Sequence, residues 1–244
     1  MYITTSEVAE TAQRAIEALT ALGHKACVVG SLACVAWGMR NRTPQVRLVH
    51  EFIAGKPNKP NLSSQDVDIV VLNTSPADEE RLKREIVACD PDFYLVNSQT
   101  PFATYKVLWR RTGTLGRCKI DILATGTLNM PNVPVERVIK KPVASHNLPV
   151  MPFIPLLYLK VQGWVDHRVA KKRYLQAKVT QDCSDIQELL GIAKEKGYRR
   201  KIGGREVVEL NWMPRSFMEI AKQHVDLYTA TYPEYFPLWK DIMY

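Results

Sequence analysis

Apolar residues at the start of the chain recur with the spacing of a helix. They occupy one face of a 3.6-residue repeat, and Gly23 ends the run. Thr4 followed three residues later by Glu7 is the signature of a capping box, in which each side chain binds the backbone of the other residue. The pattern predicts an amphipathic helix over residues 5–22.

A short apolar segment follows this helix and leads into a second one. Residues 25–29 are mostly apolar and end in two valines, which is typical of a buried strand. Gly30 and Ser31 then turn the chain, and residues 32–37 are apolar again, which predicts a helix. A strand, a glycine–serine turn and the start of a helix can together present free backbone N–H groups to a phosphate.

Strands and helices then alternate up to about residue 125. Residues 44–63 lack periodicity and are rich in proline, lysine and asparagine, which predicts an exposed loop or insertion. The segment from Asp66 to Leu72 is typical of a strand, and Ser75 and Pro76 suit the N-cap and first residue of a helix. The remaining predicted elements are a helix over 76–89 and strands over 93–98, 104–111 and 117–124.

Beyond residue 150 the period of the apolar residues becomes helical. The predicted helices cover residues 154–170, 183–196, 214–229 and 234–243. This change predicts a domain boundary that divides the chain into residues 1–150 and 151–244. The predicted fold class is therefore α/β, or α+β, with a mixed sheet flanked by helices and a mainly helical C-terminal domain.

Three aspartates interrupt the apolar strands. Because alternate side chains of a strand share a face, Asp66 and Asp68 point the same way. Asp121 stands among apolar residues in a later strand. Neighbouring carboxylates need a cation or strong hydrogen-bond donors to neutralise them, and their hard oxygen atoms suit Mg²⁺ or Mn²⁺. The alternative is that Asp66 only marks the start of its strand, while Asp68 and Asp121 face solvent and pair with lysines such as Lys119.

The order of these elements resembles the nucleotidyltransferase superfamily, which includes DNA polymerase β, the aminoglycoside nucleotidyltransferases and bacterial toxin-type members. The shared pattern is a helix, a strand that ends in Gly-Ser, a strand with Asp-x-Asp and a later strand with one acid, and it covers roughly residues 1–125. The interval between Ser31 and Asp66 is longer than in small bacterial members. We therefore expect the insertion over 44–63 to lie at the mouth of the site.

A second part of the resemblance lies in the C-terminal half. Lys160 in an apolar helix, followed by Asp182 and Asp185 in the stretch KVTQDCSDI, matches the toxin-type members. Other interpretations stay open for these residues. Lys160 can extend its charge from an apolar helix to solvent, Asp182 or Ser184 can cap the helix predicted over 183–196, and the basic segment 168–173 can be a solvated surface.

The resemblance implies a metal-dependent nucleotidyltransferase that moves a nucleoside monophosphate from an NTP to a hydroxyl acceptor and releases pyrophosphate. The residues implied for catalysis and for binding Mg²⁺ or Mn²⁺ are Asp66, Asp68 and Asp121. The residues implied for binding the nucleotide, ATP or another NTP, are Gly30, Ser31 and Lys160. The domain over 1–150 would be catalytic, and the helical domain over 151–244 would close the nucleotide cleft.

Composition limits the kind of protein but leaves its acceptor open. The chain has 244 residues, 46 % of them hydrophobic, so it can bury a core, and a mainly disordered chain is excluded. Its five cysteines are widely spaced without a CxxC pair, which argues against a zinc site or a disulfide framework. It contains no apolar run of membrane-spanning length and no basic leader, so we expect no membrane partner and a cytoplasmic, or alternatively nuclear, protein.

The charge of the chain is basic and evenly distributed. The net charge is +8, and residues 1–150 and 151–244 carry +4 each. Such a balance suits a polyanionic ligand, either a nucleotide or a nucleic acid. Two alternatives to the enzyme therefore stay open, a catalytically silent nucleotide-binding protein of the same fold and a nucleic-acid-binding module. The acceptor of an enzyme could be a small molecule, a protein hydroxyl or an RNA end.

Overall fold

The computed structural model of the chain describes residues 3–40, 66–113, 116–199, 201–202, 205–206 and 210–244. The insertion predicted over 44–63 lies outside these residues. The chain divides into two compact units, Met1–Met151 and Pro152–Tyr244. Among the described residues, no helix is long and apolar enough to span a membrane.

A seven-stranded mixed sheet forms the first unit. Its strands are β1 (Ala26–Val29), β2 (Asp66–Val71), β3 (Phe93–Asn97), β4 (Lys106–Thr112), β5 (Gly116–Ala124), β6 (Ile139–Val143) and β7 (His146–Val150). They lie side by side in the order β3-β4-β5-β2-β1-β7-β6. The pairs β2–β5 and β1–β7 are parallel and the other four pairs are antiparallel. Strand β2 therefore lies at the centre of the sheet.

Helices cover one face of this sheet. The helices of the first unit are α1 (Thr5–Ala21), α2 (Gly30–Ala36) and α3 (Glu79–Cys89). Helix α1 begins with the predicted capping box of Thr4 and Glu7, and its apolar positions are buried. Helices α1 and α3 pack against the sheet and against each other. Arg110, buried on the covered face of β4, donates to Glu10 of α1 at 2.6 Å, which fixes α1 on this face.

Helix α2 follows β1 directly, as the glycine–serine turn predicts. The ring nitrogen of Trp37, just after the helix, donates to the backbone carbonyl of Met151 at 3.0 Å. The ammonium group of Lys141 lies 4.1 Å from the centre of the same ring. These contacts tie the end of α2 to the hairpin of β6 and β7, so the β1–α2 turn is held at a fixed place above the central strands.

The second unit is mainly helical, as the sequence predicts. Its helices are α4 (Phe153–Val169), α5 (Arg173–Gln176), α6 (Val179–Glu195), α7 (Arg215–Thr231) and α8 (Phe236–Met243). A two-stranded sheet of β8 (Lys201–Ile202) and β9 (Arg205–Glu206) accompanies them. Buried aromatic rings form its core, with Trp164 packed edge-on against Tyr228 at a centroid distance of 5.0 Å.

The fold class predicted from the sequence is confirmed, but several elements were predicted wrongly or missed. The hairpin of β6 and β7, the short helix α5 and the pair β8–β9 have no counterpart among the predicted elements. The helix predicted over 76–89 is a 3₁₀ turn over Pro76–Asp78 followed by α3. Helix α6 begins at Val179, four residues earlier than predicted, so Asp182 lies inside its first turn and is not its cap.

Candidate active site

Three aspartates and one lysine share the face of the sheet opposite α1 and α3. In the parallel pair of β2 and β5, Asp66 lies opposite Lys119 and Asp68 lies opposite Asp121. The residues that alternate with them, such as Val67 and Ile120, are fully buried on the helix-covered face. The period-2 alternation of two neighbouring strands therefore places all four charged side chains together on one face.

Lys119 supplies positive charge to this group of acids. Its ammonium lies 2.5 Å from an oxygen of Asp121 and 3.9 Å from an oxygen of Asp66. Burial acts to lower the pKa of Lys119, but the charge and hydrogen bond of Asp121, together with the charges of Asp66 and Asp68, raise this pKa above its usual value. Lys119 is therefore a firmly protonated partner of the three carboxylates.

Gly30 brings the β1–α2 turn directly against Asp68. Its φ of +65° lies in the left-handed region, where glycine is favoured because other residues meet their own Cβ atom. A Cβ atom added at this position would lie 2.0 Å from an oxygen of Asp68, so the absence of a side chain is what allows the close approach. Ser31, half-buried in the first turn of α2, follows immediately.

Lys160 lies in the second unit, where it forms a buried ion pair. Its ammonium donates to Asp185 of α6 at 2.8 Å, and Gln181 donates to the other oxygen of the same carboxylate at 3.0 Å. Asp185 is fully buried. One turn earlier on α6, Asp182 accepts a hydrogen bond from His167 at 2.5 Å. The two aspartates of the toxin-type pattern therefore each have a partner on α4.

The donor set of the first unit suits a divalent cation, although its side chains do not converge around one. Three carboxylates on one face provide the hard oxygen ligands that Mg²⁺ and Mn²⁺ prefer. Because Gly30 has no side chain, its backbone can lie directly against the carboxylate of Asp68. Within the described part of the chain, however, no group of three or more acidic, histidine or cysteine residues is arranged to hold a metal. The ammonium group of Lys119 lies beside Asp121 and neutralises that carboxylate.

One polar residue beside the acids was not foreseen. Tyr105, half-exposed just before β4, is close enough to Lys119 and Asp121 to feel both charges. Hydrogen bonds to Ser98 and Thr100, together with the charge of Lys119, lower the pKa of Tyr105. A signal for it in the sequence would have been the position of Tyr105 at the start of a strand that neighbours the Asp121 strand.

Comparisons with known proteins identify the fold but no close relative. No protein-family model matches the sequence, and no curated protein is significantly similar to it. Among solved structures, the antigenic nucleotidyltransferase-like protein of Paracoccidioides brasiliensis superposes with a TM-score of 0.65. The match covers 99 % of this chain and 95 % of that protein, at 12 % sequence identity.

Two further structures are similar to a smaller degree. The antibiotic-resistance factor ANT(2'')-Ia matches 80 % of this chain and 95 % of its own length, with a TM-score of 0.38 and 8 % identity. Terminal uridylyl transferase 4 of Trypanosoma brucei, with bound GTP, matches 94 % of this chain and 66 % of its own length, with a TM-score of 0.33 and 13 % identity. The fold is therefore identified from the first similarity, which extends over almost the whole of both chains. The resemblance found in the sequence is thus confirmed at the level of the fold, which is that of the nucleotidyltransferase-like proteins.

Proposed function

We propose that the protein is a metal-dependent nucleotidyltransferase, which moves a nucleoside monophosphate from an NTP to a hydroxyl acceptor and releases pyrophosphate. The observation that carries the proposal is the meeting of three elements at one place. Asp66 and Asp68 of β2, Asp121 of the parallel neighbour β5 and the Gly30 turn lie on one face of the sheet. A nucleotidyltransferase-like fold supports the same reaction.

Each residue of the site would have a distinct role. Asp66, Asp68 and Asp121 would hold Mg²⁺ or Mn²⁺, which when bound would neutralise the triphosphate and polarise the phosphorus under attack. Asp121 would also accept the proton of the acceptor hydroxyl as its oxygen attacks the α-phosphorus. Lys119, now paired with Asp121, would have to release that carboxylate before it could take the proton.

The nucleotide would be held by backbone groups and one lysine. We infer that the N–H groups of Gly30 and Ser31 bind the β- and γ-phosphates, because a glycine here lets the backbone approach the carboxylate site closely. Lys160 would neutralise charge that develops on the leaving pyrophosphate. The helical domain over 151–244 would close over the nucleotide, and ATP is among the nucleotides to be tested.

Transfer of a labelled nucleotide tests this proposal. The protein is incubated with each α-labelled NTP, Mg²⁺ or Mn²⁺ and a cell extract, and label is followed into RNA, protein and small molecules. We expect label in one of these fractions, and we expect Asp68→Asn to abolish it. Asp92→Asn is the matched control, because Asp92 has the same charge but lies near Arg14 on the helix-covered side. Full transfer by Asp68→Asn would overturn the proposal.

A catalytically silent nucleotide-binding protein is the second candidate. The ion pair between Lys119 and Asp121 favours it, because a lysine in place of a metal ion would neutralise the acids permanently. Binding of an NTP at Kd values that do not depend on Mg²⁺ or Mn²⁺, with no labelled product, would support this candidate against the enzyme.

A further inference from the structure

The face of the sheet that carries the acids continues into a row of aromatic and cationic side chains. Strands β3, β4 and β5 are in register so that Trp109 lies opposite both Tyr94 and Lys119. Arg111 of β4 lies directly opposite Arg117 of β5. These side chains therefore stand on the same face as Asp121, on β5 itself and on the two strands beyond it. We call them the sheet-face cluster: Tyr94, Trp109, Arg111 and Arg117.

Each aromatic ring of this cluster has an arginine guanidinium group over it. The guanidinium group of Arg117 lies 4.8 Å from the centre of the Trp109 ring, and that of Arg111 lies 4.8 Å from the centre of the Tyr94 ring. Both arginines are exposed and both aromatic residues are half-buried. Leu108 and Cys118, which alternate with them on β4 and β5, are fully buried. The cluster is thus an outer surface of the sheet and does not belong to its core.

The positive charge of the cluster is not balanced within the described part of the chain. Arg111 and Arg117 face each other across β4 and β5, and like charges in directly opposed positions are destabilising. No carboxylate among the described residues forms an ion pair with either guanidinium group, and the guanidinium group of Arg111 donates a hydrogen bond only to the backbone carbonyl of Pro91, at 3.0 Å. A bound anion would relieve this repulsion.

Planar groups alternate with charges on this surface, and this alternation narrows the class of anion. Bases of single-stranded nucleic acids stack on aromatic rings and on arginine guanidinium planes, while their phosphates pair with arginine. A stretch of acidic peptide would use the charges but not the flat rings. Two arginine–aromatic pairs next to one another, on the outer surface of the sheet, therefore suit a single-stranded nucleic acid better than an acidic protein.

The position of the cluster relative to the acids is also suitable for a single-stranded nucleic acid that serves as the acceptor. Arg117 is four residues from Asp121 on β5, a distance of about 13 Å at roughly 3.3 Å per residue. Lys119 lies between them and is opposite Trp109. A nucleic acid whose last nucleotides lie on the cluster could therefore place its terminal hydroxyl near Asp121.

We infer that the sheet-face cluster binds single-stranded nucleic acid, with bases stacked on the Trp109 and Tyr94 pairs and phosphates held by Arg111 and Arg117. The assignment of this strand as the acceptor rests on the proposed function. In that reaction the terminal hydroxyl oxygen forms a bond to the α-phosphorus of the NTP, the bond to pyrophosphate breaks, and Asp121 receives the proton. Binding itself needs neither NTP nor metal.

Fluorescence anisotropy with a labelled single-stranded RNA of about 12 nucleotides tests the inference, without NTP or metal and over a range of salt concentrations. We expect Arg111→Gln and Arg117→Gln each to reduce the slope of log K against log salt by about 0.7, the value for one phosphate contact on a single strand. Trp109→Leu should weaken binding about 5- to 150-fold, as expected for a lost stacking platform.

Matched variants decide whether the effect belongs to this surface. Arg84→Gln removes the same charge from an exposed position on α3, and it should bind like the wild type. Circular dichroism confirms that each variant is folded. Arginine variants that bind no differently from Arg84→Gln would overturn the inference, as would loss of binding only when Lys171 and Lys172 of the second unit are replaced. RNA that is displaced equally well by an acidic peptide would point to a protein partner and would also overturn it.

The inference and the proposed function can fail separately. If RNA binds through the cluster but no labelled nucleotide is transferred to it or to any other acceptor, the binding surface stands and the proposed function fails. If label enters a small molecule or a protein and RNA does not bind, the proposed function stands and the inference fails.

Discussion

Gly30 is the residue at which backbone conformation and site chemistry depend on each other most directly. Replacing it with alanine would incur the cost of a positive φ and would also place a Cβ atom against Asp68. Gly23→Ala is a suitable control, because Gly23 has a φ of +83° and open space around its Cβ position. We expect Gly23→Ala to lower the free energy of unfolding by about 1 to 2 kcal/mol, and Gly30→Ala to lower it by more.

Urea unfolding measures both costs, and NTP binding measures the effect on the site. Because Asp68 would have to move away from its place beside β1, Gly30→Ala should also weaken NTP binding, and Gly23→Ala should not. Equal losses of stability, with unchanged NTP binding in both variants, would mean that the contact between Gly30 and Asp68 has no part in the site.

Lys119 distinguishes between two interpretations of the acids. Without its ammonium, Asp66, Asp68 and Asp121 would be left with less positive charge, so Lys119→Gln should bind Mg²⁺ or Mn²⁺ more tightly than the wild type. Thermal unfolding over a range of metal concentrations measures this, since each tenfold gain in affinity adds about 1.4 kcal/mol of stabilisation at saturating metal. The control is Lys140→Gln, an exposed lysine of the edge strand β6.

The two variants should respond differently to metal. We expect the unfolding temperature of Lys119→Gln to rise more with metal than that of Lys140→Gln, and we expect the added Asp68→Asn substitution to remove the difference. If metal has the same small effect on both lysine variants, the acids serve only as partners of Lys119, and the catalytically silent candidate is favoured.

Among the helices, the ion pair between α4 and α6 changes what is expected of Lys160. An exposed lysine of an apolar helix could be removed at little cost, but this one neutralises a fully buried Asp185. Lys160→Ala leaves that carboxylate buried without its cation, and we expect a loss of about 3 to 5 kcal/mol in the free energy of unfolding. The double variant Lys160→Gln with Asp185→Asn should lose less, because both charges are removed together.

This double variant also tests the nucleotide role of Lys160. It keeps hydrogen-bonding groups at both positions and should stay folded, so its NTP affinity can be measured by calorimetry. Loss of one charge-assisted contact corresponds to a roughly 10- to 150-fold weaker Kd. An unchanged Kd would assign Lys160 to the structure of the second unit alone.

The elements with strong local signals could be predicted from the sequence. Helix α1 has both a capping box and a full apolar face, and strand β2 has a run of buried valines that needs no other context. The hairpin of β6 and β7 has neither. Pro142 is acceptable because β6 is an edge strand, and the turn uses Ala144 at a φ of 50° where glycine or asparagine would have marked it.

The candidate site could be predicted only where one strand or one turn determines it. Alternation within β2 is enough to place Asp66 and Asp68 on one face, and a glycine turn is visible in the sequence. The position of Asp68 opposite Asp121 depends on the register between β2 and β5. The ion pair of Lys160 with Asp185 joins two helices through residues that are 25 positions apart in the sequence. Neither contact is fixed by local pattern, because tertiary packing selects it.

At the scale of the whole molecule, net charge and local geometry play different parts in binding. A net charge of +8 attracts any polyanion from a distance, and it does so for both units. It does not determine where a single-stranded nucleic acid binds, because the basic segment 168–173 is positively charged, as the sheet face is. Among the described residues, the sheet face is where opposed arginines lie over aromatic rings on the same surface as the acids.

The thiols of the molecule report on the integrity of both units. All five cysteines are free, and only Cys89, at the end of α3, is exposed. Burial raises the pKa of Cys27 to about 12, and it is the largest cause of a pKa of about 12 for Cys118. Because the thiolate is the reactive form, these buried thiols should react very slowly at neutral pH.

Titration with Ellman's reagent should therefore detect one fast thiol in the native protein and five in denaturant. Cys89→Ser should remove the fast thiol and leave the other four unchanged. Cys27 and Cys118 belong to the first unit, whereas Cys183 belongs to the second, where its thiol donates to the hydroxyl of Tyr232 at 3.0 Å. Mass spectrometry of the labelled peptides would thus show which unit opens first in mild denaturant. A native protein that exposes two or more fast thiols would contradict the burial of Cys27, Cys34, Cys118 and Cys183.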